Sequence, residues 1–238
     1  MRSYLYPIAL ILLLVVWAVS MQLTGSWHLL FDHWQMAATM VLGSFVAGST
    51  PAGGASVAFP VFTKVLHIES SDAALFGLMI QSVGMTMATL LILSQRVPYY
   101  RQAYLCAAAG GCATIIPAVL LLRIPAPFPK LLFSCLVFTF GILLFWLRWK
   151  GTYKLPSGSA SGFSNRQHLH LFLTGAAGGT LASQLGSGAD MIVFILMIVA
   201  FDLVPGRAIP TTILTMATIS VAGFLAKLVV QPQEIGIE

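Results

Sequence analysis

Residues 43–60 read Gly43-Ser-Phe-Val-Ala-Gly48-Ser-Thr-Pro51-Ala-Gly53-Gly54-Ala-Ser-Val-Ala-Phe-Pro60, a cluster of glycine and proline inside strongly apolar sequence. Both residue types disfavour the interior of a helix, so the pattern predicts a break between two short helical pieces. In a lipid bilayer such a break is tolerated only where protein or a water-filled cavity satisfies the freed N–H and C=O groups. A break at membrane depth therefore faces inward, toward something polar.

The composition indicates that the chain does lie in a membrane. Hydrophobic residues make up 58% of the 238 residues, charged residues only 8%, and the mean hydropathy is +0.91. A soluble domain carries about a quarter charged residues, whereas the apolar runs here reach the roughly 20 residues that a spanning helix needs. The fold class that we predict is all-α, a polytopic membrane protein in contact with the lipid bilayer.

Charge and cysteine content exclude several other classes. The net charge of +5 does not indicate nucleic acid, because the basic residues stand singly between apolar runs, where they set topology. Cys106, Cys112 and Cys135 lie in predicted spans without CxxC or Cys/His spacing, so neither a disulfide framework nor a metal site is indicated. We expect no cofactor. The sequence leaves open whether the chain forms a homo-oligomer.

A second copy of the glycine-rich pattern follows 135 residues later. An ungapped shift lays Gly43 on Gly178, Gly53-Gly54-Ala55 on Gly188-Ala189-Asp190, and Ala73 on Ala208. Matching breaks in two halves of a membrane protein are the best sequence pointer to the central site of a transporter. Five spans, or three if each broken pair is re-entrant, separate the starts of the two copies. Because either number is odd, we expect an inverted repeat.

The chain is predicted to have four parts. They are an N-terminal transmembrane helix and loop (1–33, with a cleaved signal peptide as the alternative), the first repeat (34–150), a polar linker (151–167) and the second repeat (168–238). Basic residues in and beside the linker assign it to the cytoplasm. The second repeat has one long helix after its break where the first has three. We expect it to be incomplete, either because the sequence is truncated or because a partner chain completes the fold.

The doubled pattern resembles the TauE/SafE sulfite-exporter family of membrane permeases. In that family a Gly-Gly-Gly-x-x-x-x-Pro motif recurs in each half, before a turn and an Ala that opens a long helix, here Ala73 and Ala208. This chain departs from the motif at Ala55, at Gly188-Ala189-Asp190, and at Ile195 in place of the second proline. The resemblance implies a multi-pass permease of the bacterial inner membrane that moves small sulfur oxyanions, organosulfonates or related organic anions, coupled to an ion gradient.

Two groups of residues are predicted to serve the anion. A half-helix that begins near the membrane midplane exposes N–H groups and a positive dipole end, which can bind an anion without a cationic side chain. The predicted substrate-binding residues are Ser49, Thr50, Gly53, Gly54, Ser56, Gln184, Gly186, Ser187 and Gly188, and the predicted cavity-lining residues are Gln81, Ser82, Thr86, Thr211, Thr212 and Thr215. The alternatives are that the glycines only allow close helix packing and that the polar side chains bridge helices.

Asp190 is the one acid predicted to fall within an apolar span. A carboxylate at membrane depth costs about 2.5–3.5 kcal/mol on insertion scales and is a functional hypothesis by default. We hypothesise that it binds and releases a proton, coupling anion movement to the proton gradient; the alternative is a capping acid in the first turn of a half-helix.

Two other functions compete with transport. Gly186-Ser187-Gly188 resembles the setting of a nucleophile but lacks an activating base, so no enzyme is predicted. A non-transporting membrane scaffold or partner subunit is the remaining alternative.

Overall fold

The computed structural model describes residues 4–49, 53–122, 124–125, 127–149 and 163–230, and these residues form helices without strands. The α-helices are α1 (Leu5–Thr24), α2 (His28–Asp32), α3 (Trp34–Ser49), α4 (Ala55–Pro60), α5 (Ser70–Ser94), α6 (Arg101–Leu121), α7 (Pro127–Trp149), α8 (Asn165–Leu185), α9 (Ala189–Ile195) and α10 (Pro205–Val230). Most of the predicted linker and the last eight residues of the second repeat lie outside the described part of the chain.

Five of the described helices, α1, α5, α6, α7 and α10, are long and apolar enough to cross a membrane. Three further apolar helical segments are shorter, at Trp34–Ala47, Ala55–Val65 and Ala189–Ala200. The prediction of an all-α polytopic membrane protein is confirmed at this level. The residues between α1 and α3, predicted as part of a loop, contain the short helix α2.

Helices α6 and α8 pack so closely that their backbones touch. A Cβ atom on Gly110 would collide with the carbonyl of Phe172, and one on Gly175 with the carbonyl of Ala107. Thr114 Oγ1 donates a hydrogen bond of 2.7 Å across the interface to the carbonyl of Ala176. Small residues allow this approach in lipid, where packing and interhelical hydrogen bonds drive association.

Helix α10 lies against both α5 and α6 and is the most buried of the long apolar helices. The backbone N–H of Tyr100 donates to Thr211 Oγ1 at 2.9 Å, and the Tyr104 and Thr218 hydroxyls lie 3.1 Å apart. In contrast, no residue in the most apolar part of α1 is buried, as expected of a peripheral helix surrounded by lipid.

Two short helical segments, one after each glycine-rich stretch, are built alike. Helix α4 continues as a π-helical turn at Val61–Val65 and ends near His67, which has a left-handed φ of 55°. Helix α9 continues as a π-helical turn at Leu196–Ala200 and ends near Asp202, with a φ of 48°. The long helices α5 and α10 follow them. Both segments therefore lead from a glycine-rich stretch to a turn and then to a long helix.

Candidate functional site

The carboxylate of Asp190 lies where the two glycine-rich stretches meet. Asp190 is 1% exposed, in the first turn of α9. Its Oδ1 accepts hydrogen bonds from the N–H groups of Gly188 at 3.3 Å and Met191 at 3.0 Å. Its Oδ2 accepts one from the N–H of Gly53 at 2.8 Å, 137 residues away in sequence. One oxygen thus stabilises the first turn locally, while the other joins the first stretch to the second.

A second polar side chain, Gln81 of α5, stands beside this carboxylate. It is 2% exposed, and neither its Nε2 nor its Oε1 has a hydrogen-bond partner among the described residues. A Cβ atom on Gly53 would collide with Gln81 Nε2 and would lie 2.9 Å from Asp190 Oδ2, so the amide and the carboxylate flank the same backbone position. A buried amide without partners is rare in proteins, because burying an unpaired polar group is costly.

Gln81 also lines a cavity of about 400 Å³. Gly54 lies in the same wall and directly follows Gly53, whose N–H donates a hydrogen bond to Asp190. None of the described residues that line the cavity is charged, and most are apolar; they are Met40, Ser44, Ala47, Gly54, Ile80, Gln81, Gly84, Met85, Ala88, Ile209 and Ile213. The cavity therefore offers apolar walls and, at Gln81, a free amide next to the buried carboxylate.

Glycines beside this site also let backbones approach. A Cβ atom on Gly43 of α3 would lie 2.9 Å from the carbonyl oxygen of Gly54, and one on Gly178 of α8 would lie 2.8 Å from Cα of Ala189. Each contact presses a preceding helix against the start of the following short one. Close packing, the alternative considered for the glycines, is thus one of their roles.

The remaining predicted substrate-binding residues are spread more widely. Ser56 Oγ donates to the carbonyl of Gly53 at 2.6 Å, whereas Gln184 Nε2 donates to the carbonyl of Leu122 at 3.0 Å. Gly186 ends α8 with a φ of 72° and packs against α5. Ser187 is fully buried, and its hydroxyl has no hydrogen-bond partner in the described part of the chain. Ser49 is the last residue of α3, and Thr50 lies outside the described residues.

Of the six predicted cavity-lining residues, Gln81 lies in the wall of this cavity and the others do not. Their hydroxyls donate to carbonyls of their own helices, as Ser82 does to Met79 and Thr212 to Ile209. The same holds for Thr86, Thr211 and Thr215. The cavity residues that sequence reasoning missed are mainly Met and Ile, which nothing in the sequence distinguishes from lipid-facing residues.

Comparison with known proteins places the chain in a family. A model of the family described as sulfite exporter TauE/SafE matches residues 36–235, which include both glycine-rich stretches and the carboxylate between them. The chain belongs to the TauE/SafE family. This is a family of membrane transporters rather than enzymes, and the resemblance inferred from the doubled motif is confirmed. No curated protein and no solved structure is significantly similar to the chain.

Proposed function

We propose that the protein is a multi-pass permease of the bacterial plasma membrane for small sulfur oxyanions or organosulfonates, working by alternating access and coupled to an ion gradient. The observation that carries the proposal is the meeting of two glycine-rich stretches, related by a shift of 135 residues, at one buried carboxylate. In transporters built from repeats, substrate and coupling ions bind where the interrupted helices of the two repeats meet. The description of the TauE/SafE family supplies the substrate class.

Local geometry supports the repeat on which alternating access depends. The π-helical turns at Val61–Val65 and Leu196–Ala200 are related by the same shift of 135 residues as the glycines, and so are the left-handed residues His67 and Asp202. A further hydrogen bond recurs with this shift: Ile68 N–H donates to the carbonyl of Phe62 at 2.8 Å, and Leu203 N–H to that of Met197 at 3.0 Å. A duplicated ancestral unit accounts for all of these pairs.

The order of the helices supports inversion of the two copies. Three helices that are long and apolar enough to cross a membrane, α5, α6 and α7, lie between the helix pair α3 and α4 at the first glycine-rich stretch and the pair α8 and α9 at the second. Each pair adds an even number of crossings, whether it is re-entrant or spans twice. An odd number of crossings makes two equivalent segments enter the membrane from opposite sides. Such inverted repeats can exchange conformations, which opens a central site to each side in turn.

We assign the coupling ion to a proton carried by Asp190. Its carboxylate is buried, and the hydrogen bonds that it accepts from the described residues all come from backbone N–H groups. Protonation removes its charge and weakens its hold on Gly53, since a neutral acid accepts hydrogen bonds less strongly than a carboxylate. Proton binding would thus change the link between the two glycine-rich stretches.

The test is uptake by purified protein in proteoliposomes, with and without an imposed pH gradient. Labelled sulfite, sulfate, thiosulfate, a small sulfonate and a small carboxylate form the panel. We expect saturable, gradient-driven uptake of a sulfur anion by the wild type and at least tenfold less by Asp190→Asn. The matched control is Asp202→Asn, an exposed acid whose left-handed backbone suits asparagine, and it should behave as the wild type.

Other outcomes decide against parts of the proposal. If uptake needs no pH gradient and persists in Asp190→Asn, the proposal of proton coupling is rejected. Asp190 then only stabilises the first turn of α9. No uptake of any anion by intact protein would turn the assignment toward a membrane scaffold or partner subunit.

A further inference from the structure

We propose that the Asp190 carboxylate occupies the position of the transported anion and competes with that anion for the same backbone N–H groups. The inference rests on the proposed function and deepens it, because it names the donors of the anion site and the group that holds them between transport events. In this arrangement Asp190 is a tethered anion, not a counter-charge for the substrate.

The donors are a matched pair. Gly53 and Gly188 are equivalent under the shift of 135 residues, and the N–H of each donates to the same carboxylate, at 2.8 and 3.3 Å. An anion bound between two repeats is expected to receive equivalent donors from each. A carboxylate and a sulfur oxyanion both present several oxygens that accept charge-assisted hydrogen bonds from N–H groups. The pair that now holds Asp190 can therefore hold a substrate oxyanion.

An independent observation, the free amide of Gln81, indicates that a ligand oxygen belongs at this point. Its Nε2 flanks Gly53 beside Asp190 Oδ2 but donates to no described group, although it is almost fully buried. The tethered carboxylate thus leaves one adjacent donor unused. An anion that entered from the cavity, whose wall contains both Gln81 and Gly54, would give this donor a partner.

The site has room for one negative charge at a time. Among the described residues, none that lines the cavity is cationic, and those that donate hydrogen bonds to the carboxylate do so through backbone N–H groups. Two anions sharing these donors in a dry environment would repel each other strongly. Arrival of the substrate therefore requires the carboxylate to release Gly53 and Gly188, by swinging away or by losing its charge.

Only one of the two repeats supplies a carboxylate at this position. The residue equivalent to Asp190 in the first repeat is Ala55, which is 1% exposed and brings no acceptor to the junction. The tethered anion is supplied by the second copy alone. This asymmetry offers a direct test, because the carboxylate can be moved from one copy to the other.

The experiment is equilibrium binding of sulfite and of formate to the purified full chain, at constant ionic strength set with chloride. Removal of the competitor should tighten anion binding, so Asp190→Ala should bind sulfite at least tenfold more tightly than the wild type. Asp190→Asn, which keeps the shape and a neutral acceptor, should show a smaller gain and guards against misfolding of the alanine variant. Formate should raise the Tm of Asp190→Ala and leave that of the wild type unchanged. Asp202→Asn is the control for loss of an acid elsewhere.

A double variant places the carboxylate in the first repeat instead of the second. Adding Ala55→Asp to Asp190→Ala should weaken sulfite binding again, toward the wild-type value. Unchanged or weaker binding by both Asp190 variants, with transport by the wild type intact, would overturn the inference alone and leave Asp190 a structural link. An absence of both binding and transport in every variant would overturn the proposed function together with the inference.

Discussion

At the scale of single residues, Gly53 is a position with little room for change. A Cβ atom there would collide with Gln81 Nε2 and lie 3.0 Å from Met85 Cε. We expect Gly53→Ala to cost about 1–3 kcal/mol of stability, as overpacked sites do, and to reduce anion uptake. Gln81→Ala introduced into Gly53→Ala should restore part of the lost stability because it removes the colliding amide. Thermal unfolding in detergent measures both effects.

The control for that substitution is Gly84→Ala, in the wall of the neighbouring cavity, where a Cβ atom meets nothing within 4 Å. If Gly84→Ala destabilises the protein as much as Gly53→Ala does, the contact with Gln81 is not the cause.

Asp190 shows what could be predicted at this scale. It was identified from the sequence because an acid in an apolar span is conspicuous, and its place in the first turn of a short helix also followed from the glycines before it. Its bond to Gly53 was not predicted. The two residues are 137 positions apart in the sequence. A local sequence pattern does not predict which distant N–H groups will donate hydrogen bonds to a side chain.

At the scale of helices, the contact of α6 with α8 depends on glycines that face carbonyl groups. A Cβ atom on Gly175 would collide with the backbone of Ala107, which cannot move as a flexible side chain can. Gly175→Ala should therefore lower stability by about 1–3 kcal/mol. Gly141→Ala on α7 is the matched control, since a Cβ atom there meets open space and alanine favours the helix by up to about 1 kcal/mol. Equal melting temperatures for the two variants would contradict this account of the interface.

The starts of two long helices were predicted to within a few residues: Ala73 and Ala208 were expected to open helices that begin at Ser70 and Pro205. Residues 107–111 of α6 are all small, which in a membrane favours close helix packing. The helix that packs against α6, α8, was not predicted. Small residues indicate that another helix comes close, but they do not identify which helix it is. The apolar part of the cavity wall was not predicted for a related reason: Ile209 and Ile213 have the same apolar character whether they face a cavity or lipid.

At the scale of the whole molecule, the family and the all-α membrane fold followed from the doubled motif and the hydropathy. The arrangement of the copies across the membrane is a prediction that labelling can test. Asp72 and Arg207 are equivalent under the shift of 135 residues, both are exposed, and they lie in the first turns of α5 and α10. If the repeats are inverted, these two positions face opposite sides of the membrane, with Arg207 in the cytoplasm as the distribution of basic residues favours.

The measurement uses single cysteines at positions 72 and 207 in a chain from which Cys106, Cys112 and Cys135 have been removed. A membrane-impermeant thiol reagent applied to intact cells should label Asp72→Cys, whereas Arg207→Cys should react only after the membrane is opened. Arg166→Cys, in the first turn of α8 and within the linker predicted at 151–167, provides the reference for the inner side. Labelling of positions 72 and 207 from the same side would make the repeats parallel. The two glycine-rich stretches would then enter the membrane from the same side. This result would contradict a mechanism in which inverted repeats open an anion site between Gly53 and Gly188 to each side of the membrane in turn.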